Sequence, residues 1–138
     1  MYYCVRDAHY LTAGYPLATE PCIRALVSQL ARTLRSLSLP WSTIGSATQP
    51  AALTEATIAW LAAAAPRLEH LDVVGCKGAT ANGIRALLDG RAAAVAMQAR
   101  PDGTSHYAVL RSVALKHTAA AAVAEGLSAA HPYVSILT

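Results

Sequence analysis

At 138 residues, 54 % of them hydrophobic, the chain has the length of one ordinary domain and enough apolar side chain to bury a core. Only 14 % of the residues are charged, and the formal net charge of +3 comes from Lys and Arg scattered along the chain, so no basic run marks a nucleic-acid surface. The three cysteines, Cys4, Cys22 and Cys76, include no CxxC pair, which argues against a disulfide framework and a zinc ribbon and for a reducing compartment.

The opening MYYCVRDAHYL has neither the basic-then-apolar plan of a secretory signal nor the Arg-rich, acid-free plan of a transit peptide, so an import signal would have to be removed already or internal. Residues 1–33 are expected to form an N-terminal cap and a helix. Tyr2, Tyr3, Tyr10 and Tyr15 cluster where a stacked fold must cover its open end, read either as a cap on the stack or as a docking point for a neighbouring subunit, and the run TEPCIRALVSQL at 19–30 supplies the helix. One phrase then recurs: LRSLSL at 34–39, LEHLDV at 68–73 and LRSVAL at 110–115, with a further copy begun by Val134 and Ile136. Alternation along a strand turns the last two apolar residues of LxxLxL inward and their neighbours outward, so each phrase predicts a short half-buried strand.

Helix signals follow the strands. Thr54 is placed to cap a helix whose Ile58 and Leu61 form a buried stripe and which Pro66 stops; Thr80 is placed to cap a second, carrying Ile84, Leu87 and Leu88. The third signal is weaker: Thr118, a run of alanines, Val123 and Leu127 before Pro132. The expected repeats are therefore 34–66, 68–109 and 110–132, followed by a terminal strand in 133–138. Leu34, Leu68, Leu110 and Val134 lie 34, 42 and 24 residues apart, so against a unit of roughly 20 to 29 the first two repeats carry insertions, placed at 45–52 and 91–107. The second contains the turn signal Pro101-Asp102-Gly103, and whether it forms a hairpin is left open. The apolar stretch 92–99, between Arg91 and Arg100, is far shorter than the roughly 20 residues of a membrane span, and no transmembrane segment is expected.

The stretch LEHLDVVGCKGATANGIRALL at 68–88 resembles the cysteine-containing leucine-rich repeats of F-box-type proteins, with Cys76 at that family's cysteine position and Ala81 in place of its usual acidic residue. The resemblance covers about two thirds of the chain, specific at 68–88 and weaker on either side. It implies an α/β fold, a short leucine-rich-repeat solenoid or horseshoe fragment with parallel strands on the concave face and helices on the convex one. The plan is also similar to the small mitochondrial leucine-rich-repeat proteins of the ATP synthase coupling factor B and distal membrane arm assembly factor type, through TEPCI at 19–23, GCKGATANGI at 75–84 and HPYVSIL at 131–137. That second likeness implies a mitochondrial accessory or assembly factor; without it the cytoplasm is the default.

Aligned on neighbouring strands, the outward positions bring Ser36 and Ser38 beside His70, Asp72 and Val74, and these beside Ser112 and Lys116, a row read as a polar protein-binding surface. Serine, histidine and aspartate in one row invite a hydrolase reading, but no GxSxG elbow or oxyanion donor accompanies them. Trp41, just past the first strand, fits an interface anchor at the rim or a residue packed under the first insertion. The resemblance implies that Cys76 points inward and helps its turn satisfy buried backbone groups, and does not react. Cys4, His9 and Cys22 match no standard zinc spacing, and Gly75-Cys76-Lys77-Gly78 lacks the phosphate-loop pattern, so neither metal nor cofactor is expected. Arg32, Arg35 and Arg111 are too few, and too free of interleaved aromatics, for nucleic-acid binding. The expectation is a non-catalytic protein-interaction scaffold whose partners are other subunits of a larger assembly. The alternative is a substrate-recognition fragment of an F-box-type ubiquitin ligase, against which no F-box precedes the repeats.

Overall fold

The computed structural model describes residues 10–12, 20–39, 54–76, 79–97 and 107–138. Each recurring phrase forms a three-residue strand: β2 is Ser36–Ser38, β3 His70–Asp72 and β4 Ser112–Ala114. The central residues Leu37, Leu71 and Val113 stand opposite one another and are buried, as are Leu39, Val73 and Leu115 just beyond them. Alternation thus sets the inner face as the sequence predicts. Two more strands complete the sheet, β1 at Tyr10–Thr12 and β5 at Ser135–Leu137. All pairings are parallel and the order is β1-β2-β3-β4-β5, so the chain advances one strand at a time across a mixed α/β fold.

Parallel neighbours need a crossover, and each crossover here carries a helix: α1 at Glu20–Gln29, α2 at Glu55–Ala64, α3 at Ala81–Met97, and α4 at Ala124–Ala130 preceded by a 3-10 helix at Ala119–Val123. The helices pack in the same sequence as the strands, α1 on α2, α2 on α3 and α3 on the 3-10 helix. Between them and the sheet lie Ile23 and Val27 of α1, Ile58 and Leu61 of α2, and Ile84 and Leu87 of α3, all fully buried. Thr54 caps α2 by accepting from the Thr57 amide at 3.2 Å. Thr80 caps α3, accepting from the Gly83 amide at 3.1 Å while its hydroxyl donates to Glu55 Oε2 at 2.8 Å. Gly83 lets the two helix starts come this close, since a Cβ there would stand 3.0 Å from Glu55 Cγ and 3.3 Å from Thr80 Oγ1.

Three expectations change. Residues 1–33 hold a strand as well as a helix: Leu11 pairs with Leu37, so the sheet begins before α1. The segment 91–97 is not insertion but the last two turns of α3; the rest of that insertion, 98–106, lies outside the described residues, as does 45–52. The third helix is split, with Val123 36 % exposed at the break, and Thr118 directs its hydroxyl to the Leu115 carbonyl and makes no side-chain cap. The last phrase keeps its expected inward residue: Ser112 pairs with Ser135, and just before it Val134 is 8 % exposed where Tyr133 is 80 % exposed. Among the described residues no helix is long and apolar enough to cross a membrane.

Candidate binding face of the sheet

The outward positions of the strands form two rows across the sheet. One runs Ser36, His70, Ser112, Ser135, and the next Ser38, Asp72, Ala114, Leu137. The register brings together the serines, histidine and aspartate that the sequence aligns, and β5 extends both rows by one residue that sequence reasoning did not include. His70 is exposed, and its Nδ1 lies 2.7 Å from Ser112 Oγ on the neighbouring strand. Asp72 is divided between two tasks: Oδ2 accepts from Ser38 Oγ at 3.0 Å, and Oδ1 accepts from the Val74 amide at 3.0 Å. The carboxylate therefore ties β3 to β2 and closes its own turn, and it does not orient His70. A serine and a histidine within hydrogen-bond reach make half of a nucleophilic arrangement; the third group that would hold the imidazole is occupied elsewhere.

Past β3, Val74 is half-buried and Gly75 takes a φ of 73°, a left-handed turn that glycine adopts without steric cost, while its amide donates to the Lys116 carbonyl at 2.9 Å. Past β4, Lys116 is exposed and His117 takes the equivalent place with a φ of 61°. The same turn is thus used twice. Cys76 follows the first of them, fully buried, its amide donating to the Val73 carbonyl and its thiol to the Leu39 carbonyl at 2.9 Å. Its inward direction, as expected, makes it a bridge from the turn after β3 to the end of β2. Trp41 lies outside the described residues, as do Cys4 and His9 of the zinc alternative; Cys22 belongs to α1. Among the described residues no cluster of His, Cys, Asp and Glu could hold a metal ion.

Next to these rows, Arg111 Nε meets Glu69 Oε1 at 2.8 Å, a pair too exposed to add much stability. Arg32 and Arg35 are exposed as well, and Arg35 precedes β2 as Glu69 precedes β3 and Arg111 precedes β4, so this flank alternates basic, acidic, basic.

Sequence reasoning missed Arg91. It is 2 % exposed on α3, and its guanidinium donates to the carbonyls of Ala62 (3.2 Å), Leu68 (2.7 Å) and Ala108 (3.0 Å), and also to that of Ala65. It gathers the C-terminal end of α2, the approach to β3 and the approach to β4. The available signal was an arginine four residues past Leu87 on the buried stripe of a helix.

Compared with protein-family models, with curated proteins and with solved structures, the chain matches none.

Proposed function

We propose that the chain is a non-catalytic protein-binding scaffold, a short leucine-rich-repeat unit that offers the outer face of its sheet to another subunit of a larger assembly. The observation that carries this reading is the in-register polar face: Ser36, His70 and Ser112 in one row and Ser38 with Asp72 in the next, on strands too short to do more than hold them in place. Paired side chains on a rigid sheet lose little freedom when a partner covers them, which favours recognition. Further support comes from the strand phrase, the sequential parallel order and the twice-used turn, all of which suit a repeat architecture. The same geometry weighs against hydrolysis, because Asp72 is bonded to Ser38 and the Val74 amide.

The test is co-purification of the intact complex from source cells, with mass spectrometry of its composition, for the unaltered chain and for a His70→Ala, Lys116→Glu double variant. A stable multi-subunit complex that the double variant loses would support the scaffold. Recovery with ubiquitin-ligase components would replace it by the substrate-receptor alternative, and esterase or peptidase activity lost on Ser112→Ala would overturn the non-catalytic reading.

A further inference from the structure

The charges around the sheet face are unequal in exposure. Its two carboxylates lie low and are already engaged: Glu69 is 20 % exposed and bonded to Arg111, and half-buried Asp72 accepts from the Ser38 hydroxyl and the Val74 amide. The cations stand clear of them. Arg111 is 69 % exposed, and the exposed side chains of Arg35 and Lys116 have no hydrogen bond or ion pair among the described residues. A carboxylate sunk into its own hydrogen bonds projects little field, whereas an exposed guanidinium or ammonium acts on whatever approaches, so this side of the molecule presents positive potential. Exposed acidic side chains are found on the helices instead, Glu55 of α2, Asp89 of α3 and Glu125 of α4.

Between the cations the face offers hydrogen-bond donors. Ser36, Ser112 and Ser135 carry hydroxyls in one row, and when Ser112 donates to His70 Nδ1 the ring proton is on Nε2, so the remaining nitrogen is a donor too. Arg35 and Arg111 stand at the entrances of β2 and β4. Lys116 follows Arg111 by five positions, which at about 3.3 Å per residue is roughly 16 Å along the strand direction. Three cations at two borders do not make the continuous basic groove that a nucleic-acid backbone follows; they suit separate carboxylates. A second copy of the chain has few to give, since Glu55 is bonded to Thr80 and Asp89 to His131.

We propose that the segment covering this face is an acidic stretch of a partner protein, with a carboxylate set against Arg35 and Arg111 and another, roughly 16 Å away, against Lys116. The inference rests on the scaffold reading and gives the partner of that same face its chemistry.

The test is zero-length carbodiimide coupling in the native complex from source cells, which joins an amine to a carboxylate only where the two already touch, with the adduct mapped by mass spectrometry. The expected product is an amide between Lys116 Nζ and an aspartate or glutamate of one partner polypeptide. A synthetic peptide of the mapped segment should bind the purified chain and weaken by at least about fivefold when salt is raised to about 0.5 M. Arg35→Glu with Lys116→Glu should weaken it by on the order of tenfold or more, while Arg35→Lys with Lys116→Arg keeps most of the affinity. Both positions are exposed, so far-UV dichroism of the free variants should match that of the unaltered chain. An adduct within the chain or to a second copy, no adduct in a complex that otherwise survives, salt-independent binding, or loss of the complex on nuclease treatment would overturn the proposal. The two readings separate: if the His70→Ala, Lys116→Glu variant releases the complex while Arg35→Glu, Lys116→Glu keeps it, the sheet-face scaffold stands and the acidic partner falls, and if neither variant releases it both fall.

Discussion

A guanidinium is costly to bury unless its donors are met, and Arg91 shows how a single long side chain can organise three parts of a fold. Burial pushes its pKa down to about 10, with Tyr107 opposing that shift, so the group stays charged at neutral pH and its hydrogen bonds are charge-assisted. Tyr107 also packs with its ring 5.8 Å from the guanidinium carbon. Arg91→Met keeps the apolar stem and removes every donor; it should lower unfolding free energy by about 3 kcal/mol in urea titrations, and Arg91→Lys should restore only part of that, since one ammonium cannot reach carbonyls on both sides. Cys76 makes a second prediction at this scale. Fully buried, its thiol should escape alkylation in the native chain and become labelled only in denaturant, as read by peptide mapping. The inward cysteine was expected from the resemblance of 68–88 to cysteine-containing repeats, although the Leu39 carbonyl that its thiol meets lies 37 residues away. Arg91 was not, because the carbonyls it serves lie up to 29 residues away.

The helices differ in how firmly their ends are written into the chain. α2 has a bonded threonine at its start and Pro66 after its end, and both were readable. α3 shares the threonine cap, but Asp89-Gly90-Arg91 looks like a stop, and the alanines after it show no stripe. The helix continues because Arg91 turns inward and because alanine has high intrinsic propensity. The third crossover has neither a side-chain cap nor a bulky stripe, and it breaks into a 3-10 turn and seven residues of α-helix. Thr54→Ala should therefore cost about 1 kcal/mol of stability, and Thr80→Ala more, because it also loses the bond to Glu55. Thr118→Ala should leave helical dichroism unchanged, its hydroxyl being bonded to the Leu115 carbonyl outside the helix.

Among the described residues, strands and helices contact chiefly their sequence neighbours, and on the repeat reading proposed above cooperativity passes from one unit to the next. Buried residues are densest around β3, where α2 and α3 pack together and Arg91 joins the two flanking units. Native-state hydrogen exchange should accordingly show slowest exchange at Leu71, Val73 and Ile84 and progressively faster exchange toward Leu11 at one edge and Ile136 at the other. Uniform protection from β1 to β5 would contradict unit-by-unit coupling. The β1 edge was also hardest to read in sequence. Leu11 is flanked by Ala8 and Ala13 where Leu37 is flanked by Leu34 and Leu39, so the β1 phrase is too faint to recognise without its pairing to β2.

From the amino-acid sequence alone came the central strands, their inward residues, the outward rows holding Ser36, His70 and Ser112 and, beside them, Ser38 and Asp72, and two helix caps. Each depends on residues within a few positions of one another, where alternation, capping and turn geometry act. Tertiary structure alone decided the edge strand β1, the length of α3 and the burial of Arg91. Those outcomes turn on contacts between residues far apart in the chain, and a local pattern holds no record of which distant carbonyl or strand will be there to meet it.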